Sequence, residues 1–359
     1  MTAWAAPIFF RKMLSLCVVL RPMKLLFHRF DLRLKHTFTI AHDSRDVQQT
    51  LVVELRDSAG YRGFGEATAN KYYGITIDKM VADLEAIRQL IEASDHHSAE
   101  EFWTLTHPYL AQNPFAQCAL DEAMHDLVAK RAGVPLYQYW NLDPARNPIS
   151  NYTIGIDTVE KMVAKMRELP WPLYKIKLGI NDDLAIVREL RQHTEAMFRV
   201  DANCAWTADE TIRFAPELKT LGVEFIEQPL PADDFAGQQR VFVESVLPII
   251  ADESCIIETD VEQCINRFHG VNIKLTKCGG LTPARRMIEQ AKQAGMLVMV
   301  GCMTESSVGI SAIAQLLPLL DYVDMDGTLL ITNDPATGIT LDYGRVKYAN
   351  ENGTGARLK

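Results

Sequence analysis

The sequence lacks the signatures of several common protein classes. Its seven cysteines are scattered and show no C-x-x-C spacing, a pattern typical of free thiols in a reducing compartment. No run of lysine and arginine offsets the formal net charge of −9, which opposes non-specific binding to nucleic acid or to an anionic membrane. No G-x-G-x-x-G follows an early strand-like segment to support a dinucleotide site. These absences favour a small-molecule partner.

The first 22 residues combine positive charge with a short apolar run. Arg11 and Lys12 precede the apolar residues 13–20, which loosely resemble a signal peptide. The run is not followed by a small-x-small cleavage site, and it is far shorter than the roughly 20 residues that span a bilayer. A strand-like segment begins directly after Met23. We therefore expect residues 1–22 to be an extension before a natural start at Met23, and the protein to be cytoplasmic.

The 359 residues are enough for two domains, and their 48% hydrophobic content is that of a globular protein. Residues 23–134 begin with strand-like segments and continue with helical periodicity, which predicts a small α+β domain. Ser98 and Glu101 form a capping-box signature at the start of one predicted helix. A proline-rich stretch, 133–148, marks a domain boundary.

Eight apolar strands then alternate with amphipathic helical stretches. The predicted strands are Asn151–Ile156, Tyr174–Leu178, Phe198–Asp201, Phe225–Glu227, Ile249–Asp252, Val271–Leu275, Leu297–Val300 and Tyr322–Asp324. Strand–helix repetition predicts a parallel sheet, and eight units close most naturally into a barrel over residues 135–331. An open doubly wound sheet is the alternative. Residues 332–359 again have a strand-and-turn pattern, and we expect them to return to the first domain.

Three acidic residues recur at the ends of successive predicted strands: Asp201, Glu227 and Asp252. The intervals are 26 and 25 residues, about the length of one strand, one helix and two loops. Because the carboxyl ends of barrel strands share one face, these side chains should converge into an acidic cup. Carboxylate oxygens are the ligands that Mg²⁺ prefers. The sequence thus predicts one Mg²⁺ in the acidic cup.

Lysines flank these acids on neighbouring strands. Lys175 and Lys177 point to the same face of the second strand, where buried ammonium groups need carboxylate partners. Alternatively, their heads reach solvent. Lys274 ends the sixth strand, across the barrel from the second, so it can approach a bound molecule from the face opposite Lys177. A lysine crowded by Mg²⁺ and by another lysine has its neutral form favoured, as a general base requires. Lys277 is the competing candidate, with an expected position in the following loop.

Asp324 and Asp326 follow the last strand with both side chains on one face. An acidic pair is often only a solvated loop. Over the acidic cup, the same pair can hold a cationic group of a substrate.

These residues together resemble a known family, the enolase superfamily in its muconate lactonizing subgroup, and most of all its dipeptide epimerases. The motifs that carry the resemblance are Lys175-Ile176-Lys177, Asp201 with Asn203, Ile226-Glu227-Gln228-Pro229, Ala251-Asp252-Glu253-Ser254, and Asn272-Ile273-Lys274-Leu275 with Cys278-Gly279-Gly280. The similarity runs from about Met23 to the C-terminus. It implies an α/β fold, a modified (β/α)₇β TIM-type barrel with an N-terminal α+β capping domain that the C-terminal segment completes.

The resemblance also implies roles for the individual residues. It implies an Mg²⁺ ion on Asp201, Glu227 and Asp252, with Asn203 and Glu253 beside these ligands without binding the metal themselves. It implies an acid/base pair of Lys177 and Lys274, with electrostatic support from Lys175. A substrate ammonium group is implied on Asp324 and Asp326. The segment 38–45 looks like the loop that closes the site in this family. Within it, Arg45 is a candidate partner for a substrate side-chain carboxylate, as is His42, although an exposed surface arginine is an equally good interpretation.

The implied activity is isomerisation: a Mg²⁺-dependent epimerase that inverts the C-terminal residue of a dipeptide such as L-Ala-D/L-Glu through an enediolate. Peptidoglycan turnover is the implied setting, and a homo-oligomer is possible. A dipeptide epimerase of different side-chain specificity is one alternative. A muconate cycloisomerase or an o-succinylbenzoate synthase would keep the acids and lysines, but neither substrate carries an ammonium group for Asp324 and Asp326. A non-catalytic binding protein has no need of two lysines on opposite faces.

Overall fold

The computed structural model describes residues 23–40, 43–180 and 182–359. The predicted extension 1–22 and the candidate His42 lie outside the described residues. In the part of the chain that is described, no helix has the length and apolar character needed to cross a membrane.

An antiparallel sheet of three strands opens the described chain, as predicted. Its strands are β1 Lys24–Ile40, β2 Asp43–Arg56 and β3 Arg62–Thr68, in the order β1-β2-β3. In the turn between β2 and β3, Asp57 Oδ1 accepts hydrogen bonds from the backbone N–H groups of Ala59 and Tyr61. Gly60 has a φ of +92°, a conformation that glycine adopts without steric cost. The long β1 and β2 extend as a hairpin toward the barrel.

Five helices follow this sheet. They are α1 Ile77–Ala86, α2 Arg88–Ala93, α3 Ala99–Leu110, α4 Pro114–Ala132 and α5 Leu136–Tyr139. The predicted capping box of Ser98 and Glu101 is present at the start of α3. Helix α4 packs directly on β3, and Gly63 and Gly65 allow this close approach. A Cβ atom at either position would lie about 2 Å from an α4 carbonyl oxygen. The other side of α4 faces the barrel, so α4 is a wall shared by both parts of the molecule.

Eight parallel strands form the predicted barrel. They are β4 Tyr152–Ile154, β5 Leu173–Lys177, β6 Met197–Asp201, β7 Val223–Glu227, β8 Ile249–Ala251, β9 Gly270–Ile273, β10 Leu297–Gly301 and β11 Tyr322–Asp324. They pair in sequence order from β4 to β11, and a parallel bridge between Ser150 and Val323 brings the two ends together. The closed arrangement excludes the open doubly wound alternative.

Helices connect the barrel strands and cover their outer face. They are α6 Val159–Glu168, α7 Asp183–Arg191, α8 Ala208–Thr220, α9 Phe235–Glu244, α10 Glu258–Cys264, α11 Leu275–Cys278, α12 Leu281–Gln293, α13 Ser307–Ala314 and α14 Gly327–Leu330. Two short 3₁₀ turns lie at Pro144–Arg146 and Leu317–Leu319.

The alternation of side chains along each strand separates the core from the site. Ile176, Val200 and Ile226 are fully buried and belong to the large apolar cluster that joins the strands to the helices. Their neighbours in sequence point to the other face, into the barrel. Parallel register then fixes the level at which those inward residues lie, since Lys177 pairs with Asp201 and Asp201 pairs with Glu227.

The C-terminal segment carries four short strands, β12 Ala336–Thr337, β13 Thr340–Asp342, β14 Arg345–Lys347 and β15 Arg357–Leu358. It touches the N-terminal part, as expected. Gly353 N–H donates to Val134 O at 3.0 Å, and Thr354 N–H donates to the Asp126 carboxylate at 2.7 Å. Ala356 is buried in an apolar cluster with residues of β2 and β3.

Candidate active site and metal centre

The three acids of the predicted cup converge at the carboxyl ends of β6, β7 and β8. Asp201 and Glu227 are the last residues of their strands, and Asp252 follows β8 directly. Each offers a carboxylate oxygen, and the three atoms lie within 4.8 Å of one another. The three residues are 0% to 1% exposed. Spacing alone predicted this convergence, and the geometry agrees with it.

The acidic cup has the chemistry that a divalent cation requires. Burial, and after it the nearby Asp201 carboxylate, raises the pKa of Glu227 to about 7. A buried site where one carboxylate resists ionisation is stabilised by added positive charge. Three oxygen ligands from separate strands suit Mg²⁺, and one of them, Asp252, also lines the adjoining cavity. The residues present therefore fit this metal.

Lys175 neutralises the centre of the acidic cup. Its Nζ lies 2.7 Å from Glu227 Oε2, 3.2 Å from Asp201 Oδ2 and 3.0 Å from Asp324 Oδ2. The side chain is 1% exposed, so the interpretation of a lysine head in solvent is wrong for this residue. Burial lowers the pKa of Lys175, but these carboxylates outweigh burial and raise the pKa well above its ordinary value. Lys175 is thus a fixed cation.

Lys177 and Lys274 approach the acidic cup from two sides of the barrel. Lys177 Nζ donates to Asp201 Oδ2 at 2.6 Å, and Lys274 Nζ donates to Asp252 Oδ2 at 2.7 Å. Lys177 lies on β5, whereas Lys274 follows β9, four strands away in a ring of eight. Both side chains line a cavity of roughly 360 Å³. The two amino groups can therefore reach one bound molecule from different directions.

The pKa of Lys274 runs against one expectation from the sequence. Burial lowers it, but the Asp252 carboxylate outweighs burial and raises the pKa above its ordinary value. The protein groups alone therefore favour the charged amine. The predicted neutral lysine depends on the additional positive charge of a cation in the acidic cup.

Asp324 and Asp326 also line this cavity. Asp324 is held by Lys175 and by Asn151, whose Nδ2 donates to Oδ1 at 2.8 Å. Asp326 Oδ2 accepts a hydrogen bond from Thr153 N–H at 2.5 Å. Burial, and after it the Asp324 charge, raises the pKa of Asp326 to about 7. A cationic group beside Asp326 would relieve this repulsion.

The two predicted supporting residues lie at the rim of the acidic cup. Asn203 N–H donates to Asp201 Oδ1 at 3.0 Å, and its side chain donates to Glu253 Oε1 at 3.4 Å. Burial and the neighbouring Asp252 raise the pKa of Glu253 to about 7. Arg45 reaches the same cavity from β2, with its guanidinium 5.9 Å from the Phe38 ring. The capping sheet thus supplies one wall of the cavity.

Sequence patterns assigned no role to Asn272 and a wrong position to Lys277, although both residues contact the acidic cup. Asn272 Nδ2 donates to Glu227 Oε1 at 2.8 Å and so orients that carboxylate. It lies two residues before Lys274, and this even spacing is the signal that could have pointed to it. Lys277 lies in the short helix α11 and contacts Asp252, so its expected position in a loop is wrong.

Comparison with known proteins identifies the family. A family model described as "Mandelate racemase / muconate lactonizing enzyme, N-terminal domain" matches residues 26–139. A second, "Enolase C-terminal domain-like", matches residues 157–359. A protein of Flavobacterium johnsoniae named L-Ala-D/L-amino acid epimerase is 59% identical over 336 residues, covering 94% of this chain and 100% of that protein.

Solved structures agree with this assignment. A substrate-liganded complex of the L-Ala-D/L-Glu epimerase from Bacillus subtilis has a TM-score of 0.88 at 26% identity, covering 94% of this chain and 98% of that one. A dipeptide epimerase from Enterococcus faecalis, complexed with Mg and L-Leu-L-Tyr, has a TM-score of 0.87 at 29% identity, covering 93% and 99%. The resemblance stated from the sequence motifs is confirmed: this chain belongs to the enolase superfamily, in the group of mandelate racemase and muconate lactonizing enzyme.

Proposed function

We propose that the chain is a Mg²⁺-dependent dipeptide epimerase that inverts the Cα of the C-terminal residue. The observation that carries the proposal is the pair Lys177 and Lys274, which enter one cavity from different sides beside three convergent carboxylates. Relatives and solved structures that are named epimerases support the predicted enzyme class, an isomerase acting on amino acid derivatives.

In this proposal Asp201, Glu227 and Asp252 would hold one Mg²⁺. When bound, the cation would accept the substrate carboxylate and stabilise the negative charge that gathers on it as the adjacent Cα–H is removed. Lys175 balances the charge of the acids and keeps Asp324 in place. One of Lys177 and Lys274 removes the Cα proton, and the other gives a proton to the opposite face, which inverts the centre. For the other epimer the two roles exchange.

The substrate's ammonium terminus would lie on Asp324 and Asp326. Of the two, Asp326 has more capacity for a new cation, because Asp324 already pairs with the Lys175 ammonium group and with Asn151. Asp326 instead accepts from the uncharged Thr153 N–H and, at 4.0 Å, from the Cys302 thiol. This placement favours a dipeptide over a substrate without an amino group. It therefore disfavours the alternative cycloisomerase and o-succinylbenzoate synthase functions.

L-Ala-L-Glu is the substrate we propose first, since Arg45 reaches the cavity and can pair with a side-chain carboxylate. The name of the Flavobacterium johnsoniae relative is broader, which makes a panel of other C-terminal residues the necessary comparison. A role in peptidoglycan turnover, a cytoplasmic location and a homo-oligomer stay predictions.

Incubation with L-Ala-L-Glu and Mg²⁺ in D₂O tests the proposal. We expect the Glu Cα–H signal to disappear from the NMR spectrum as deuterium enters, and the L-Ala-D-Glu diastereomer to appear. A matched sample with excess EDTA should show no exchange until Mg²⁺ is restored. Absence of deuterium from the C-terminal Cα of this dipeptide and of a panel with acidic, basic and apolar residues would contradict the proposal.

A further inference from the structure

Lys277 is a buried lysine that touches the acidic cup and has no part in the proposed proton transfers. Its side chain is 0% exposed. Lys177 and Lys274 line the cavity, whereas Lys277 contacts Asp252 and is not among the lining residues. A buried ammonium group is costly unless every donor is used, so the partners of Lys277 show what it does.

All three donors of the Lys277 amino group are directed at one turn, residues 252–255. Nζ lies 2.6 Å from Asp252 Oδ1, 2.5 Å from Asp252 O and 3.2 Å from Cys255 O. An ammonium group has three N–H bonds, so these contacts exhaust it. Lys277 thus binds both ends of the turn and the carboxylate that projects from it.

The local fold explains why the lysine reaches this turn. Lys274 is the N-terminal cap of α11, and Lys277 lies three residues later, one helical turn further from the cavity. Gly279 and Gly280, with φ of +96° and +118°, end the helix immediately afterwards. The chain therefore presents two lysines to Asp252 from different sides: Lys274 on Oδ2 and Lys277 on Oδ1.

In the proposed reaction, the contacts of Lys274 and Lys277 with Asp252 have different roles. Lys274 must exchange a proton with the substrate, so its bond to Asp252 changes during turnover. Lys277 meets only protein atoms and can keep its bonds throughout. Outer groups that orient a metal-binding carboxylate commonly change metal affinity by about 10–100-fold when they are removed.

We propose that Lys277 is a positioning residue for the divalent cation: it fixes the Asp252 carboxylate and the 252–255 turn in the orientation that binds the metal. The inference rests on the proposed function to the extent that it requires a metal on Asp252. It assigns Lys277 no contact with the substrate and no proton transfer.

Titration of the full-length protein with Mn²⁺, followed by electron paramagnetic resonance, tests the proposal without using activity. We expect Lys277→Met to raise the Mn²⁺ dissociation constant by about 10–100-fold, because the carboxylate loses its fixed donor. Lys277→Arg keeps the charge and should lie between Met and wild type. Lys292→Met, an exposed lysine on α12, is the matched control and should bind Mn²⁺ as wild type does.

Turnover at increasing Mg²⁺ gives a second readout that a merely structural role would not move. In Lys277→Met, activity at low Mg²⁺ should fall and return to within about tenfold of wild type at saturating Mg²⁺.

Three results would contradict either the role of Lys277 or the proposed function, and they show which of the two is wrong. Wild-type Mn²⁺ affinity in Lys277→Met overturns the role of Lys277 while the proposed function stands. Unfolding of Lys277→Met at every Mg²⁺ concentration also overturns it, because the lysine would then support only the fold. Failure of the wild-type protein to bind any Mn²⁺ would instead contradict the proposed function itself.

Discussion

The barrel and the capping sheet face the same cavity with very different construction. On the barrel side, each reactive group ends or follows a parallel strand, is 0% to 13% exposed, and contacts an opposite charge. On the capping side, the wall comes from the β1–β2 hairpin and from the turn 70–73, where Lys71 is exposed and Tyr72 is 68% exposed. Strand register fixes positions far more firmly than a turn does. The contrast is the reason to expect the proposed chemistry on the barrel side and the selection of substrate side chains on the capping side.

The largest expected effect is on the barrel side. Lys177→Ala and Lys274→Ala should each lower turnover by about 10²–10⁴-fold, because each removes one of two proton-transfer groups. The measurement is the rate of L-Ala-L-Glu epimerisation, with Cα deuterium exchange followed separately from each epimer. Exchange that survives on one epimer only would show which face each lysine serves.

Lys219→Ala, on the exposed face of α8, is the control and should leave the rate unchanged. An undiminished rate of epimerisation in Lys177→Ala or in Lys274→Ala would show that these lysines are not the acid/base pair. The assignment of the chemistry to the barrel side of the cavity would then be wrong.

A smaller and more selective effect is expected on the capping side. Arg45→Gln should lower kcat/KM for L-Ala-L-Glu by about 10–100-fold, the loss expected when a charged group loses its hydrogen-bond partner. The value for L-Ala-L-Leu should change little. Lys71→Gln, on the turn of the same wall, is the matched comparison. Equal losses on both dipeptides would argue that Arg45 acts on the reaction and not on side-chain selection.

The smallest effect concerns stability of the capping sheet alone. Glu54 is buried and accepts hydrogen bonds from His28, Arg56 and Arg62. Burial raises the pKa of Glu54, but these partners outweigh burial and lower it from 4.5 to about 2. Its contribution to stability is therefore present above about pH 4.5 and is lost as the pH falls toward 2.

Glu54→Gln should lower the free energy of unfolding by about 1–3 kcal/mol at pH 7 and by less at pH 3, measured by urea denaturation. Asp78→Asn removes an exposed ion pair with Arg29 and should cost under about 1 kcal/mol at both values. The free energies of unfolding of wild type and Glu54→Gln should therefore differ less at pH 3 than at pH 7. An equal difference at both pH values would contradict the assigned role of this carboxylate.

Much of the site was predictable from the sequence because it depends on local rules. Apolar runs that end in an acid at intervals of 26 and 25 residues predict strand ends on one face. The Lys-x-Lys pattern at 175 and 177 predicts two inward side chains by alternation alone. Both features survive small errors in strand bounds, and each predicted barrel strand overlaps an observed one.

Long-range contacts were the part that local patterns missed. Lys277 was expected in a loop and was given no contact with Asp252. Nothing in the residues around Lys277 shows that the turn 252–255 lies beside it in the fold. Helix α4 is another case, because its charged residues would ordinarily mark a solvent face. Instead Asp126 accepts hydrogen bonds from the backbone of Phe64 and Thr354, in segments far along the chain.

The sequence by itself determined the strand and helix repeat, the acids and lysines at the strand ends, and the family to which the chain belongs. Only the tertiary structure decided which charge contacts which: Lys175 among three carboxylates, Lys274 and Lys277 on separate oxygens of Asp252, and Asp324 already held before any substrate binds. The physical reason is that periodicity follows from the geometry of one chain segment, whereas pairing of buried charges depends on distances set by strands that meet across the barrel.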